Sequence, residues 1–276
     1  MLGVLAADLV AVAVHAPAAP VAAPARTAPV VQVVAAAPAA AAATPSSTSP
    51  PAPSPPAAVR GPVADYHPGA VPSWAQAPVS STELVPLPGA HRIRVYDAPR
   101  GAVLIDLTNP LLVGVPLVLS ADGPDVGGWI AARLPVRPNN VIGYVKDTDV
   151  RAVPLDWSVD VYQAEHEVLV WQGSTLRATL PSAVGKAATP TPTGRFYVLA
   201  RLPGGPAYGP IIMATSGFSE VYATFGGGEA DIALHGTDED ASVGHSASHG
   251  CMRLHNSDAA WLGQRAVEGT SVRIMA

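Results

Sequence analysis

The sequence has 276 residues and a net charge of −5, and 49% of its residues are hydrophobic but only 5% are aromatic. That length allows two ordinary domains, or one domain with a long tail. The negative charge and the lack of a basic run exclude a nucleic-acid-binding surface, which needs a positive face, so no nucleic-acid partner is expected. A single cysteine, Cys251, excludes an internal disulfide framework.

Residues 1–62 are predicted to form a signal segment followed by a disordered linker. Residues 1–14 are almost wholly apolar and too short to span a bilayer comfortably, which is typical of a signal-peptide core, although no basic residue precedes it. Residues 16–62 are rich in Ala, Pro, Ser and Thr and contain no aromatic residue, so they have little to bury. We therefore expect an exported protein with an extended spacer; a low-complexity tail without function is the alternative.

Residues 83–153 are predicted to form a small β-barrel. The segment consists of short apolar or alternating runs separated by turn residues, and it lacks the period of a helix. The predicted strands are 92–96, 103–107, 115–119, 129–134 and 142–145.

Residues 158–276 are also predicted to be mostly strands, with one helix. The predicted strands are 158–163, 167–172, 175–180, 195–200, 232–234 and 271–275. The run 232–234 would place His235 at the end of a strand. For the helix, Asn256 is a suitable N-cap, Asp258 lies in the first turn and Gly269 supplies the stop.

The residues that carry chemistry lie around the one cysteine. A thiol with an ordinary pKa of about 8.5 is mostly protonated at neutral pH, so a nucleophilic cysteine needs a nearby imidazole or helix terminus to hold it as a thiolate. The run His249-Gly250-Cys251 offers consecutive backbone N–H donors on a glycine turn, which suits an oxyanion hole. His235 and His249 are both candidates for the base, and spacing alone does not choose between them.

This set of residues resembles the active-site signature of the L,D-transpeptidase family. In that family a histidine is followed by Ser/Thr-His-Gly-Cys, and then by Arg and Asn two and five residues past the cysteine. The matching residues are His235, Ser248, His249, Gly250, Cys251, Arg253 and Asn256. The run 191–196 resembles the family's Thr-Pro-x-Gly-x-Phe element, and residues 134–140 with 143–145 resemble the SH3-like domain that precedes the catalytic domain in actinobacterial relatives.

The resemblance implies a mostly β fold, in which a small SH3-like β-barrel at 83–153 precedes a β-rich catalytic domain at 158–276 with one short helix. It implies that Cys251 is the nucleophile, that His235 is the proton donor and acceptor, and that the backbone of Gly236 orients the histidine. His249 and Gly250 would form the oxyanion turn. The expected substrate-binding residues are Ser248, Arg253 and Asn256, with Arg253 either holding a carboxylate or anchoring the turn through an ion pair.

The resemblance also implies a substrate and a location. The expected acyl donor is a peptidoglycan stem tetrapeptide, which loses its terminal D-Ala to form a thioester and is then transferred to an amine, giving a 3-3 cross-link or an exchanged D-amino acid. No cofactor or metal is expected, and penem-class β-lactams are expected to be covalent inhibitors. The protein is expected in the cell wall or periplasmic space, anchored to the membrane where the N-terminal segment is uncleaved. The acidic run 238–240 departs from the family pattern and would affect acceptor preference.

Two alternatives stay open at this point. His235, His249, Cys251 and His255 could be zinc ligands, although the spacing matches no common zinc finger and lacks a paired Cys-x2-Cys. The protein could also be a non-catalytic wall-binding protein in which residues 83–153 bind the wall; for those residues, wall binding and a packing spacer are both compatible with the sequence.

Overall fold

The structure, a computed structural model, describes residues 70–111, 114–225 and 228–276. The predicted signal segment and linker, residues 1–62, lie outside these ranges. Among the described residues, no helix has the length and apolar character needed to cross a bilayer.

The first seven strands form one antiparallel sheet over an apolar core. They are β1 (Ser81–Pro86), β2 (Arg92–Tyr96), β3 (Val103–Thr108), β4 (Leu119–Ala121), β5 (Trp129–Arg133), β6 (Ile142–Lys146) and β7 (Val150–Leu155). Their order is β3-β2-β6-β5-β4-β1-β7, and we call this the N-terminal sheet. Ile93 and Val95 alternate with exposed arginines along β2 and pack with Leu84 and Leu107, because successive side chains of a strand point to opposite faces. That this sheet is of the SH3 type stays a prediction.

The remaining strands belong to the C-terminal part of the chain. They are β8 (Trp157–Tyr162), β9 (Glu167–Gln172), β10 (Thr175–Pro181), β11 (Val184–Gly185), β12 (Gly194–Gly205), β13 (Gly209–Phe218), β14 (Thr224–Phe225), β15 (Gly228–Glu229), β16 (Asp231–His235), β17 (Ser246–Ser248), β18 (Met252–Arg253) and β19 (Ser271–Met275). Eight of them form the C-terminal sheet, in the order β10-β9-β8-β19-β12-β13-β16-β18, and β11-β17 and β14-β15 form two small pairs. The described residues also contain short 3-10 helices at Asp147–Asp149, Pro206–Tyr208 and Asp240–Ser242.

One α-helix, α1 (Asn256–Gly263), follows the cysteine in the described part of the chain. The mostly β fold with one short helix is therefore confirmed. Two predicted details of the helix are wrong. His255 occupies the N-cap position and makes no side-chain cap, and the helix ends at Gly263 rather than near Gly269. The Asn256 side chain is used elsewhere, because its Oδ1 accepts the Thr237 backbone N–H at 2.9 Å.

Strand pairing brings the two halves of the predicted site together. β16 and β18 pair in parallel, with Leu234 opposite Met252 and His235 opposite Arg253. Cys251, immediately before β18, is thereby placed beside the strand that carries His235. Met252, Ile232 and Leu234 are almost fully buried in the core, so apolar packing fixes the backbone on which both reactive side chains stand.

Candidate active site

A cleft of about 120 Å³ lies where β16 ends and β18 begins. It is lined by Ala207, Tyr208, Phe225, His235, Asp238, Glu239, Ser248, His249, Cys251 and Arg253. Five of the eight predicted site residues thus line one cleft. The other three, Gly236, Gly250 and Asn256, lie behind it, where they shape the backbone.

The cysteine turn, residues 248–251, is held by hydroxyl groups. The Ser248 Oγ donates to the Cys251 carbonyl at 2.6 Å and accepts the Gly250 N–H at 3.0 Å. Two threonines of the loop between β11 and β12 also bond to this turn. The Thr189 hydroxyl donates to the Ser248 carbonyl at 3.2 Å, and the Thr191 hydroxyl donates to the Gly250 carbonyl at 2.8 Å. Gly250 has φ +124°, a conformation that L side chains rarely adopt, which explains the glycine.

Two expectations for this turn change as a result. The Gly250 N–H is bonded to Ser248, so it does not point into the cleft as an oxyanion donor. Among the backbone hydrogen bonds of the described residues none is donated by the Cys251 N–H, which leaves this group as the candidate donor. Ser248 is buried and uses its hydroxyl twice within the turn, so the structure places it as a support of the cysteine rather than as a free substrate ligand.

His235 is buried and oriented by its neighbour. Its Nδ1 lies 2.5 Å from the Gly236 carbonyl oxygen, so Nδ1 carries the proton and Nε2 is left as an acceptor. The Tyr208 ring packs edge-on against the imidazole, with 5.0 Å between the ring centroids. Burial lowers the pKa of His235, and the positive charge of Arg253 acts in the same direction, while the bond to Gly236 opposes both. The imidazole is therefore neutral at neutral pH.

Gly236 is also fixed by packing. A Cβ at this position would lie 2.1 Å from the Asn256 Oδ1, so only glycine fits. Because Oδ1 also accepts the Thr237 N–H, Asn256 ties the start of α1 to the end of β16. The structure therefore places Asn256 behind His235, where it supports the backbone, and not among the residues that line the cleft.

Cys251 is half-buried, and its thiol donates to the Asp231 carbonyl oxygen at 3.9 Å. Burial raises the pKa of the Cys251 thiol, whereas a hydrogen bond from the Ala233 backbone and the charge of Arg253 lower it. A raised thiol pKa and a lowered imidazole pKa favour a neutral pair at rest. This differs from the thiolate expected from the sequence.

Arg253 forms an ion pair within the protein, which is the second of the two roles expected for it. Its Nη1 lies 2.6 Å from Glu239 Oε2, and the Arg253 side chain is 19% exposed. The neighbouring carboxylate, Asp240, lies 3.1 Å from Nδ1 of His255. The acidic run is therefore tied to the residues just after the cysteine turn by the Arg253–Glu239 ion pair and the His255–Asp240 hydrogen bond. Asp238 and Glu239 also line the cleft.

His249 faces a different set of groups from His235. Its Nε2 lies 3.5 Å from Lys186 Nζ, and its ring centroid is 6.4 Å from that of Tyr222 and 5.8 Å from that of Phe225. These aromatic neighbours were not singled out from the sequence, because Tyr222 and Phe225 lie more than 20 residues from His249 with no motif around them. Within the described ranges, no group of three or more His, Cys, Asp or Glu side chains is arranged to hold a metal ion.

The side chain of Asp231, the residue whose carbonyl accepts the Cys251 thiol, makes the stability of the folded protein depend on pH. Burial raises the pKa of its carboxyl to about 7, with Glu229 acting in the same direction and Arg137 opposing. In an unfolded chain the pKa of the same carboxyl is about 3.9. Between these values the unfolded state has lost the proton that the folded state keeps, so the contribution of Asp231 to stability falls as pH rises from about 4 to about 7.

Asp231→Asn, which keeps the size but cannot ionise, is expected to remove that fall. Relative to the wild type, the variant should gain free energy of unfolding as pH rises from about 4 to about 7, and the gain should level off above that range. Urea denaturation at several pH values measures the difference, with the exposed Asp156→Asn as the matched control. A difference between Asp231→Asn and wild type that is constant across this range would contradict the buried, raised-pKa carboxyl.

The comparisons with known proteins concern the C-terminal, β-rich part of the chain. Residues 156–274 match the YkuD family, the L,D-transpeptidase catalytic domain. The putative L,D-transpeptidase YkuD of Bacillus subtilis (strain 168) is 39% identical over 98 residues, which are 35% of this chain and 52% of that protein. The putative L,D-transpeptidase YqjB of the same strain is 30% identical over 132 residues, 44% of this chain and 73% of that protein. The chain belongs to the L,D-transpeptidase family.

The match to the first of these relatives covers only about half of that protein's length, 52%. Among solved structures, L,D-transpeptidase 3 of Mycobacterium tuberculosis in complex with a faropenem-derived adduct is similar with a TM-score of 0.40 and 14% identity. The similarity covers 58% of this chain and 91% of that chain.

Proposed function

We propose that this protein is a peptidoglycan L,D-transpeptidase that works through a thioester on Cys251. The observation that carries the proposal is the placement of Cys251 and His235 in one cleft, with Nδ1 of the histidine held by the Gly236 carbonyl. That contact fixes the tautomer in which Nε2 accepts a proton, and it takes the part that an Asp or Asn plays in other triads.

The first half-reaction forms the acyl-enzyme. Sγ of Cys251 attacks the carbonyl carbon that joins the third and fourth residues of a stem tetrapeptide, and its proton passes to Nε2 of His235. The Cys251 backbone N–H stabilises the negative oxygen of the tetrahedral intermediate. The C–N bond then breaks, the imidazolium returns its proton to the leaving amine, and D-Ala departs.

The second half-reaction transfers the acyl group. A neutral amine attacks the thioester carbonyl and His235 takes a proton from it. The C–S bond then breaks, and the imidazolium returns that proton to Sγ, which regenerates the thiol. A side-chain amine of a second stem gives a 3-3 cross-link, and a free D-amino acid gives exchange. Asp238 and Glu239 place negative charge at the cleft, which favours an acceptor that arrives as an ammonium ion.

The same chemistry predicts inhibition by penem-class β-lactams. The Mycobacterium tuberculosis protein described above carries a faropenem-derived adduct. For this chain we propose that Sγ of Cys251 attacks the β-lactam carbonyl, that the ring C–N bond breaks, and that the drug remains as a thioester. The substrate implies that the protein acts outside the cytoplasm, in the cell wall or periplasmic space.

The proposed reaction is tested by incubating the protein with a disaccharide-tetrapeptide and separating the products by mass spectrometry. We expect released D-Ala together with a dimer that has lost one D-Ala, and an exchanged tetrapeptide when a different D-amino acid is added. A full-length preparation that binds wall fragments but releases no D-Ala would instead support the non-catalytic wall-binding alternative.

Catalysis is expected to be independent of metal. The proposed acyl transfer uses only the thiol of Cys251 and the imidazole of His235, and within the described ranges no three His, Cys, Asp or Glu side chains are grouped so as to hold a metal ion. Prolonged treatment with a strong chelator should leave D-Ala release unchanged. Loss of activity on chelation, restored by added zinc, would overturn the thiol–imidazole assignment, because only the zinc site is removed in this way.

A further inference from the structure

A side chain of the N-terminal sheet contacts the C-terminal sheet close to the cleft. Arg137, in the loop between β5 and β6, donates through Nη1 to the Ser219 carbonyl at 2.7 Å and through Nη2 to the Tyr222 carbonyl at 3.1 Å. Its Nε lies 3.5 Å from Glu229 Oε2, and its guanidinium lies 4.8 Å from the centroid of the Phe218 ring. Hydrogen bonds from a charged donor are stronger than those between neutral groups, and the planar guanidinium can serve two carbonyls at once.

Asn139 reinforces this contact from the same loop. Its side-chain amide donates to the Phe218 carbonyl at 2.8 Å and accepts the Phe218 N–H at 2.9 Å. Arg137 and Asn139 together bind the end of β13 and the segment 219–225 that follows it. We call residues 219–225 the aromatic loop.

The aromatic loop leads directly to the cleft. The rings of Tyr222 and Phe225 pack against each other with centroids 5.9 Å apart, and both lie beside His249, two residues before the nucleophile. Phe225 lines the cleft together with Cys251. The loop has little packing of its own, since Val221 is 52% and Phe225 50% exposed. Within the C-terminal part of the chain the loop is held by the Ala230 N–H bond to the Ala223 carbonyl and by the pairing of β14 with β15. Arg137 adds the two bonds that reach the loop's carbonyls from the N-terminal sheet.

From these contacts we propose that Arg137 is a positioning residue for acyl transfer. It holds the aromatic loop against His249, which is part of the cysteine turn. The N-terminal sheet is then part of the catalytic unit, which is a third role beside the wall-binding and spacer roles considered from the sequence. The proposal rests on the proposed function for its kinetic consequence, but its structural consequence at His249 does not.

The test compares Arg137→Ala and Arg137→Lys with Tyr197→Phe in the full chain. Tyr197→Phe is the matched control, because the Tyr197 hydroxyl also bonds across the two sheets, to the Val118 carbonyl at 3.1 Å, but does not contact the aromatic loop. The readouts are kcat and KM for the tetrapeptide, and the imidazole signals of His249 in the NMR spectrum of the isotope-labelled protein. Ring currents of Tyr222 and Phe225 act on those signals, so a displaced loop changes them.

We expect Arg137→Ala to lower kcat/KM about 10- to 100-fold, the range in which a displacement of about 1 Å falls. His249 should change its chemical shift and His235 should not, Arg137→Lys should recover part of the activity, and Tyr197→Phe should stay within about twofold of wild type. A double variant Arg137→Ala/Tyr222→Ala should be no worse than Tyr222→Ala alone, because both act through the loop.

Wild-type His249 signals in folded Arg137→Ala, or additive losses in the double variant, would overturn the proposal. If Arg137→Ala does not fold, the same two criteria apply to Arg137→Lys. If the wild type itself releases no D-Ala, the proposed function fails, while the His249 spectrum still decides whether Arg137 positions the loop.

Discussion

Cys251→Ala is expected to abolish D-Ala release while leaving the protein folded. In the proposed mechanism the sulfur forms the thioester, and no other group of the cleft would replace it. Its loss should cost little stability, about 1 kcal/mol, because the residue is half-buried and the bond that its thiol donates, to the Asp231 carbonyl, is long at 3.9 Å. Product analysis gives the activity, and thermal unfolding gives the stability.

The control for this variant is a thiol reagent on the wild type. The sequence contains one cysteine, so a single modification should inactivate the protein, and prior acylation by a penem should block it. Turnover of the disaccharide-tetrapeptide by Cys251→Ala at the wild-type rate would remove Cys251 from the mechanism.

His235→Ala is expected to slow acylation by a factor of about a hundred or more, the usual contribution of a positioned general base. The structure gives the reason in two pKa shifts of opposite sign. Burial lowers the pKa of the imidazole and raises the pKa of the thiol. Under the proposed mechanism the thiol therefore reacts as a neutral group whose proton His235 removes. Without His235 the reaction depends on the small fraction of thiolate formed in solution.

The pH profile separates the two situations. In the wild type, acylation by a β-lactam should rise until His235 loses its proton, at a pH below about 6.5, and stay level above it. In His235→Ala the slow rate should keep rising beyond pH of about 8.5, since the pKa of the buried thiol lies above its ordinary value. Stopped-flow measurement over this range gives both curves.

His249→Ala is the matched control, because it removes the second histidine of the cleft. We expect a reduced rate with the wild-type pH dependence, since His249 packs against the aromatic loop and Lys186 and affects the shape of the turn. If His235→Ala acylates at nearly the wild-type rate while His249→Ala shifts the pH profile, the two histidines have exchanged roles.

The strands with strong local patterns were predictable from the sequence. β2, β9 and β19 have the predicted bounds, because alternating or continuous apolar runs end at clear turn residues. The strand predicted at 115–119 is wrong, since the ladder strand β4 covers 119–121. Pro116 cannot donate to a ladder, so Leu117 is buried without joining a strand.

Some of the C-terminal sheet could not be predicted. β13 was missed because Gly209, Pro210 and Gly217 lie within it, and these residues normally argue against a strand. It forms because it is a central strand, paired with β12 on one side and β16 on the other. Tertiary pairing of this kind overrides local preference.

The site was predictable as a set of residues but not as a set of contacts. The spacing of the motif identified His235 and Cys251 as candidate catalytic residues, and the structure places both in one cleft. The use of the Gly250 N–H by Ser248 was not visible, because the hydroxyl can reach it only in the folded turn. The link from Arg137 to Tyr222 spans 85 residues, and no local pattern reports a contact at that separation.

The most direct test of a Cys251 thioester is the intact mass of the protein after brief mixing with a tetrapeptide stem and no acceptor. We predict one added mass equal to the stem without its terminal D-Ala, located on the peptide that contains Cys251 and absent from Cys251→Ala. The adduct should disappear when an amine acceptor is added. Release of D-Ala without any covalent adduct, or an adduct on a residue other than Cys251, would contradict the account.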